Sequence, residues 1–213
     1  MALSTALADG ARESDLPPRE SGRLLAARLF FAAPFHQVSD DLYRTVDQGK
    51  ATTDRYWAVV EPHSRVSTNS YFGRFPASYW QRWTAATEVT LEATASGSGR
   101  LTVVASDAHG VTRVVGTAEV HDADAEQELT LTVPLDRFVD GGALWLELAT
   151  QAETLTVGNA RWSVAAPPRL RPTSVVICTF NRPDDCLHTL DVLSGDPDAM
   201  RMVDAVYVVD QGT

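Results

Sequence analysis

No stretch of this 213-residue sequence approaches the roughly 20 apolar residues needed to cross a bilayer. The longest candidate, Leu24 to Phe35, is short and interrupted by Arg28. The N-terminus has no basic segment followed by a long apolar run, so no secretory signal is expected. Positive charge is scarce: 18 Lys and Arg stand against 28 Asp and Glu, a formal net charge of −10. That balance excludes a general nucleic-acid binder, which needs a basic footprint, but leaves room for a local basic pocket that takes a diphosphate. Only two cysteines occur, Cys178 and Cys186. They fit neither a zinc spacing nor a disulfide framework, and they read as reduced thiols of a cytosolic protein, with Cys178 in the core. His63, His109 and His121 fall in or near turns with no partner at ligand spacing, so they read as solvated. No phosphate-cradling glycine loop follows the apolar run at 174–178, which excludes an NTPase or a dinucleotide-dependent dehydrogenase.

What is present is organised in blocks. Residues 1–50 read as an N-terminal arm, partly disordered, in which Gly22 to Phe35 docks as a short helix or an extended segment. Residues 51–166 carry strand-like runs separated by turns. Glu88 to Thr94 alternates strictly, with Val89, Leu91 and Ala93 on one face. Ser96–Gly99 reads as a turn, Leu101 to Ala105 as a strand, and Asp107–Gly110 as a further turn. Val111 to Val120, Glu128 to Val133, Ala143 to Ala149, Thr154 to Val157 and Arg161 to Val164 complete the series. Short alternating strands without a long helix predict a mainly β fold, a jelly-roll-like β-sandwich whose sheets pack face to face.

Residues 167–172 are a proline-rich linker, stiff and extended. Beyond it the pattern changes. Ser174 to Cys178 is a continuous apolar run, as in a parallel strand buried on both faces. Asp184 to Leu193 predicts a helix with Cys186, Leu187, Leu190 and Leu193 as its apolar stripe. Val203 to Val209 is a second strand. Residues 173–213 therefore read as one Rossmann-like βαβ unit, the truncated start of an α/β domain, since about forty residues cannot cover both faces of a parallel sheet.

In an open α/β sheet, ligands lie beyond the carboxyl ends of the strands. Two such ends exist here, Thr179-Phe180-Asn181-Arg182-Pro183-Asp184 and Asp210-Gln211-Gly212. Their residue types suit a nucleotide. Phe180 offers a stacking face, and Arg182 offers a guanidinium fork for a base edge or a phosphate. Asp210 and Gln211 offer acceptors for an imide N–H or a ribose hydroxyl. Ser174 to Pro183 resembles the first strand and loop of family 2 glycosyltransferases with the GT-A fold, and Val208 to Gly212 resembles the end of their second strand. Upstream, Tyr71-Phe-Gly-Arg-Phe-Pro-Ala-Ser-Tyr-Trp-Gln-Arg-Trp-Thr84 resembles the β-sandwich of the polymerising galactofuranosyltransferases of the mycobacterial and actinobacterial cell-wall galactan pathway. The order of sandwich, proline-rich linker and Thr-Phe-Asn-Arg-Pro is also similar to theirs.

The resemblance implies an inverting transferase that uses UDP-galactofuranose and elongates a lipid-linked galactan acceptor. It implies a homo-oligomer working in the cytoplasm, peripherally at the inner face of the plasma membrane. It also implies a divalent metal, Mn2+ or Mg2+, and a catalytic carboxylate, both downstream of Thr213. Thr179, Phe180, Arg182, Asp210 and Gln211 carry over as UDP-sugar contacts, with Asn181 and Asp184 as further members. No catalytic residue or metal ligand is expected in this chain, which alone is expected to be inactive. Two other readings stay open: a non-catalytic carbohydrate-binding or assembly module, and a family 2 transferase with another nucleotide sugar. The rings of Tyr71, Phe72, Phe75, Tyr79, Trp80 and Trp83 read as core and as contact with the next domain, with a sugar platform as the alternative. Asp122, Asp124, Glu126 and Glu128 read as a solvated acidic loop rather than a calcium site.

Overall fold

The computed structural model describes residues 22–34, 38–166 and 173–212. The expected disordered start of the arm, residues 1–21, and the linker at 167–172 lie outside the described residues. The chain divides into two compact units, one spanning Ser21–Ala166 and the other containing Pro167–Thr213.

The larger unit is built from β1 (Arg23–Arg28), β2 (Thr45–Gln48), β3 (Ala51–Thr53), β4 (Trp57–Val60), β5 (Arg65–Ser67), helix α1 (Ala77–Trp83), β6 (Glu88–Ser106), β7 (Thr112–Pro134), β8 (Leu144–Ala149) and β9 (Leu155–Ala165). The fold is mainly β. All nine strands belong to one hydrogen-bonded sheet with antiparallel pairings, folded over on itself into a nearly closed sandwich. The segment expected as an arm is part of that sheet: β1 pairs with β9 from Arg23↔Ala165 to Arg28↔Arg161. Of the two forms allowed for Gly22 to Phe35, it takes the extended one, and it leads Leu29 and Phe31 into the core.

The strand count differs from the expectation at two places. Ser96–Gly99 does not reverse the chain; it lies inside the single 19-residue strand β6. Up to Gly97 one edge of β6 pairs with β9, and from Arg100 onward with β8. Gly97 sits at the switch with φ +87°, and a Cβ there would stand 2.1 Å from the Thr154 carbonyl oxygen. The glycine pair thus permits a bend and a change of partner, not a hairpin. Likewise, 122–128 is not a loop. It lies within β7, which follows the other edge of β6 through register shifts between Ala95 and Gly99. The turn at Asp107–Gly110 is where the sequence places it, closing the β6–β7 hairpin.

Alternation does select the core. Val89, Leu91, Leu101 and Val103 from β6 meet Leu144, Leu146 and Leu148 from β8, with Leu155, Val157 and Trp162 from β9. Phe75 is buried between rings, 5.2 Å from Trp162 and 5.9 Å from Trp80. Buried polar groups carry the loops. Thr68 Oγ1 accepts the Leu146 N–H at 2.9 Å, and Thr150 Oγ1 accepts the Ser64 N–H at 3.0 Å. On the sheet surface, Glu92 lies 3.4 Å from Arg23 and 2.6 Å from Arg161, tying β1 to β6 and β9.

In the smaller unit, β10 (Thr173–Thr179), α2 (Pro183–Ser194), α3 (Pro197–Met200) and β11 (Val203–Asp210) form a strand–helix–strand unit with a parallel pair. The apolar run is not buried on both faces. Val175 and Ile177 are half-buried, whereas Val176 and Cys178 are exposed, so Cys178 is not a core residue among the described contacts. One helix shields only one side of a strand pair. On α2 the inward stripe is Cys186, Leu190 and Leu193; Leu187 faces outward.

Leu146 is completely buried at the centre of β8. Leu146→Ala is expected to lower unfolding free energy by about 2–5 kcal/mol, against less than about 0.5 kcal/mol for exposed Val114→Ala, as urea denaturation would measure. At the β6–β7 turn, Asp107 Oδ1 accepts the N–H groups of Val111 at 2.9 Å and His109 at 2.8 Å. The Val111 bond is the main cause holding this carboxyl below the usual range, against an opposing desolvation; His109 and Arg113 act in the same lowering direction. A depressed carboxyl supports the folded turn above its unfolded pKa and loses that support as pH falls through the folded value. An NMR titration is expected to show Asp107 titrating below an Asp in a model peptide, with Val111 amide protection disappearing over the same acidic interval.

Candidate functional site

The carboxyl ends of β10 and β11 come together because the pair is parallel and in register at its end. Thr179 stands opposite Asp210. The Gln211 N–H donates to the Thr179 carbonyl at 2.9 Å, extending the pairing one residue past the strand. The two loops therefore begin side by side.

Each loop is fixed by short-range chemistry. Asn181 has φ +52°, a left-handed conformation that Asn tolerates better than most residues. It turns the chain so that Pro183 opens α2 at its first position, where a missing N–H costs nothing. Arg182 precedes the helix without a side-chain cap, and its carbonyl accepts the Cys186 N–H at 3.1 Å. Thr179 Oγ1 donates to that same carbonyl at 3.3 Å. On the second loop, Asp210 Oδ1 accepts the Gly212 N–H at 2.9 Å. The loops nearly touch, since a Cβ on Gly212 would lie 2.5 Å from Asn181 Oδ1.

Thr179, Phe180 and Arg182 share one open depression, also lined by Ile177, Cys178, Asp185, Cys186 and Thr189. Asp210 and Gln211 do not line it; they flank it through the Thr179 pairing. Phe180 is 64% exposed. Arg182 pairs with Asp185 at 3.6 Å, both well exposed, rather than with Asp184. Asp184 lies in the first helical turn, exposed. Asp185, Cys186 and Thr189 were not named as site residues from the sequence, where Cys186 was read only as part of the helix's apolar stripe. The signal existed, because 182, 185, 186 and 189 follow helical spacing and face one side.

Three or more metal-donor side chains are nowhere gathered among the described residues, so the groups present do not make a metal site. No described helix is long and apolar enough to cross a membrane. The aromatic cluster splits. Phe75 is buried and Trp80 packs on it, as expected of core residues. Tyr71, Phe72, Tyr79 and Trp83 are 80%, 50%, 57% and 70% exposed, so these four lie outside the sandwich core, and of the expected roles only contact with the next domain stays open to them. Tyr79 and Trp83 are four apart on α1 and share its outer face, opposite Ala77 and Trp80.

The solved structures similar to this chain include a family 29 carbohydrate-binding module, at 12% identity and TM-score 0.39 over 66% of this chain and 88% of that one, and an exo-beta-agarase, at 10% identity and TM-score 0.43 over 67% of this chain and 25% of that one. At those scores the shapes agree only loosely. Sequence relatives are more informative. Galactofuranosyltransferase GlfT2 of Mycolicibacterium smegmatis is 38% identical over 156 residues, and that of Mycobacterium tuberculosis 38% over 158; each alignment covers 72% of this chain and 24% of the relative. The chain thus spans about a quarter of the length of these relatives.

Gly212→Val is expected to force the two loops apart. Hydrogen exchange at the Gln211 amide should quicken, while the melting temperature of the larger unit stays unchanged; an unaltered Gln211 amide would show that the loops do not constrain each other.

The profile described as Galactofuranosyltransferase 2 N-terminal matches residues 40–165, more than half of the chain, and the chain belongs to that family.

Proposed function

We propose that this chain is the N-terminal part of a UDP-galactofuranose-dependent transferase that elongates cell-wall galactan, and that its strand–helix–strand unit forms the uridine side of the donor site of a GT-A domain. The observation that carries the reading is the in-register meeting of Thr179 and Asp210, which sets two nucleotide-suited loops at one end of a parallel pair. Membership of the galactofuranosyltransferase family supports the sugar.

In this reading Phe180 stacks on uracil, and Thr179 shapes the loop through its bond to the Arg182 carbonyl. Asp210 and Gln211 accept from the base imide or the ribose hydroxyls, with Asn181 and Asp184 beside them. Arg182 gives its fork to the nucleotide. Its present partner, Asp185, holds it weakly: an exposed ion pair is worth at most about 1 kcal/mol, whereas a charge-assisted bond to a ligand is worth about 1.5–3 kcal/mol. Ligand binding can therefore displace Asp185. Inverting chemistry, a divalent metal, a lipid-linked acceptor, a homo-oligomer and peripheral work at the inner face of the plasma membrane belong to the same proposal for the whole enzyme. The described residues do not fit the metal, so no step is derived through it.

Calorimetric titration with UDP tests the site. Arg182→Ala should weaken UDP binding by about tenfold or more with the larger unit still folded. Unchanged affinity would remove Arg182 from the site. For the donor, a protein of the relatives' full length should turn over UDP-galactofuranose in preference to UDP-glucose and GDP-mannose. Turnover only with one of the latter would sink the galactofuranosyl assignment.

A further inference from the structure

Residues 173–212 carry seven Asp and no Glu against two Arg and no Lys. Both guanidiniums are paired inside their own segment, Arg182 with Asp185 at 3.6 Å and Arg201 with Asp198 at 3.2 Å. Arg201 lies between α3 and β11, so it stands at the end of the parallel pair opposite to the loops. Among the described residues of this unit, Arg182 is therefore the cation at the depression, and Asp185 lines the same depression beside it.

The helix does not make good the shortage of positive charge. A helix N-terminus ordinarily draws anions through its free amides and its dipole. Here Pro183 at the first position has no N–H to offer, and the Cys186 N–H is taken by the Arg182 carbonyl at 3.1 Å. Asp184 and Asp185 put two negative charges into the first turn. On the second loop Asp210, oriented by the Gly212 N–H at 2.9 Å, can accept hydrogen bonds but repels anions. A phosphate entering here meets these carboxylates and has to displace Asp185 before it reaches the guanidinium. A base or a ribose meets no such opposition, and the Phe180 ring is open to it.

We propose that this depression draws its affinity from the nucleoside of its ligand and none from the attached phosphates, and that Asp185 is the specificity-determining residue that sets this preference. That the nucleoside is uridine rests on the function proposed above. Asp185 occupies the guanidinium that a phosphate would otherwise take. With its charge removed, Arg182 attracts phosphate unopposed by its neighbour.

The test is titration of the whole 213-residue chain with uridine, UMP and UDP, followed by NMR. Uridine should bind as tightly as UDP or more tightly, and UDP affinity should hold or rise from about 50 to about 500 mM NaCl, because salt screens repulsion as well as attraction. Asp185→Asn should raise the ratio of UDP to uridine affinity about two- to fivefold, the worth of one exposed ion pair. The Asp185 side chain is 74% exposed, and protection of the Val206 and Val208 amides should show β11 intact in the variant. Asp191→Asn removes the same charge farther along α2 and should leave the ratio as in wild type. UDP binding about tenfold or more tighter than uridine, or UDP affinity that falls with salt, overturns the preference for the nucleoside while the nucleotide site itself stands. An unchanged ratio in Asp185→Asn, or an equal change in Asp191→Asn, removes Asp185 from its role. Binding of none of the three ligands by wild type sinks the nucleotide-sugar reading and this inference with it.

Discussion

The larger unit depends on one strand being hydrogen-bonded along both edges. β6 keeps β7 on one side throughout, while the other side passes from β9 to β8 at Gly97. That change of partner folds a single sheet into two layers. Without it, Val89 and Leu91 from the first half and Leu101 and Val103 from the second could not face a common interior. An uninterrupted β-branched strand would resist such a bend, because only a residue free at positive φ can take Gly97's backbone. The core is therefore assembled by a backbone constraint and then filled by alternating side chains.

This explains which parts of the fold were legible in the sequence. Alternation identified the inward residues of β6 and β8, because period two is a direct consequence of pleating. The turn at Asp107–Gly110 was legible because its glycine and Asx chemistry reverse the chain locally. Ser96–Gly99 has similar local chemistry and does something else, since whether glycine closes a hairpin or bends a strand depends on long-range partners. The acidic stretch around Asp122 was misplaced for a related reason: a run of charged residues is as compatible with a strand as with a loop, and its place within β7 is set by distant pairing with β6. β1 was underestimated because Arg23, which ties to Glu92 and Ser163, reads as an arm residue until its distant partners are known.

The aromatic segment shows the same limit at the level of side chains. Six rings within thirteen residues suggest a core cluster, yet α1 sorts them by helical phase. Trp80 turns inward with Ala77, and Tyr79 and Trp83 turn outward. The candidate site was more legible, because strand tips in parallel pairs are set by local order in the chain. Thr179, Phe180 and Arg182 do meet in one depression, and Asp210 and Gln211 lie beside it. Asp185, the partner that occupies Arg182, was legible only through its i,i+3 helical spacing from Arg182.

Charge at the strand tips sharpens the proposed donor site. Around the two loops the described residues place one cation, Arg182, against Asp184, Asp185 and Asp210. Such a balance is poor for a bare diphosphate, which every one of these carboxylates would repel. It suits the nucleoside end. A uracil imide and ribose hydroxyls are neutral donors, and a carboxylate accepts from them without electrostatic conflict. Phe180 adds a stacking face that is indifferent to charge. In the proposed enzyme, then, these loops select for uridine, and compensation of the phosphate charge falls to groups other than those described here. On that argument the guanidinium of Arg182 is better matched to the base edge than to the phosphates, with Asp185 as the group that keeps it oriented until the nucleotide arrives.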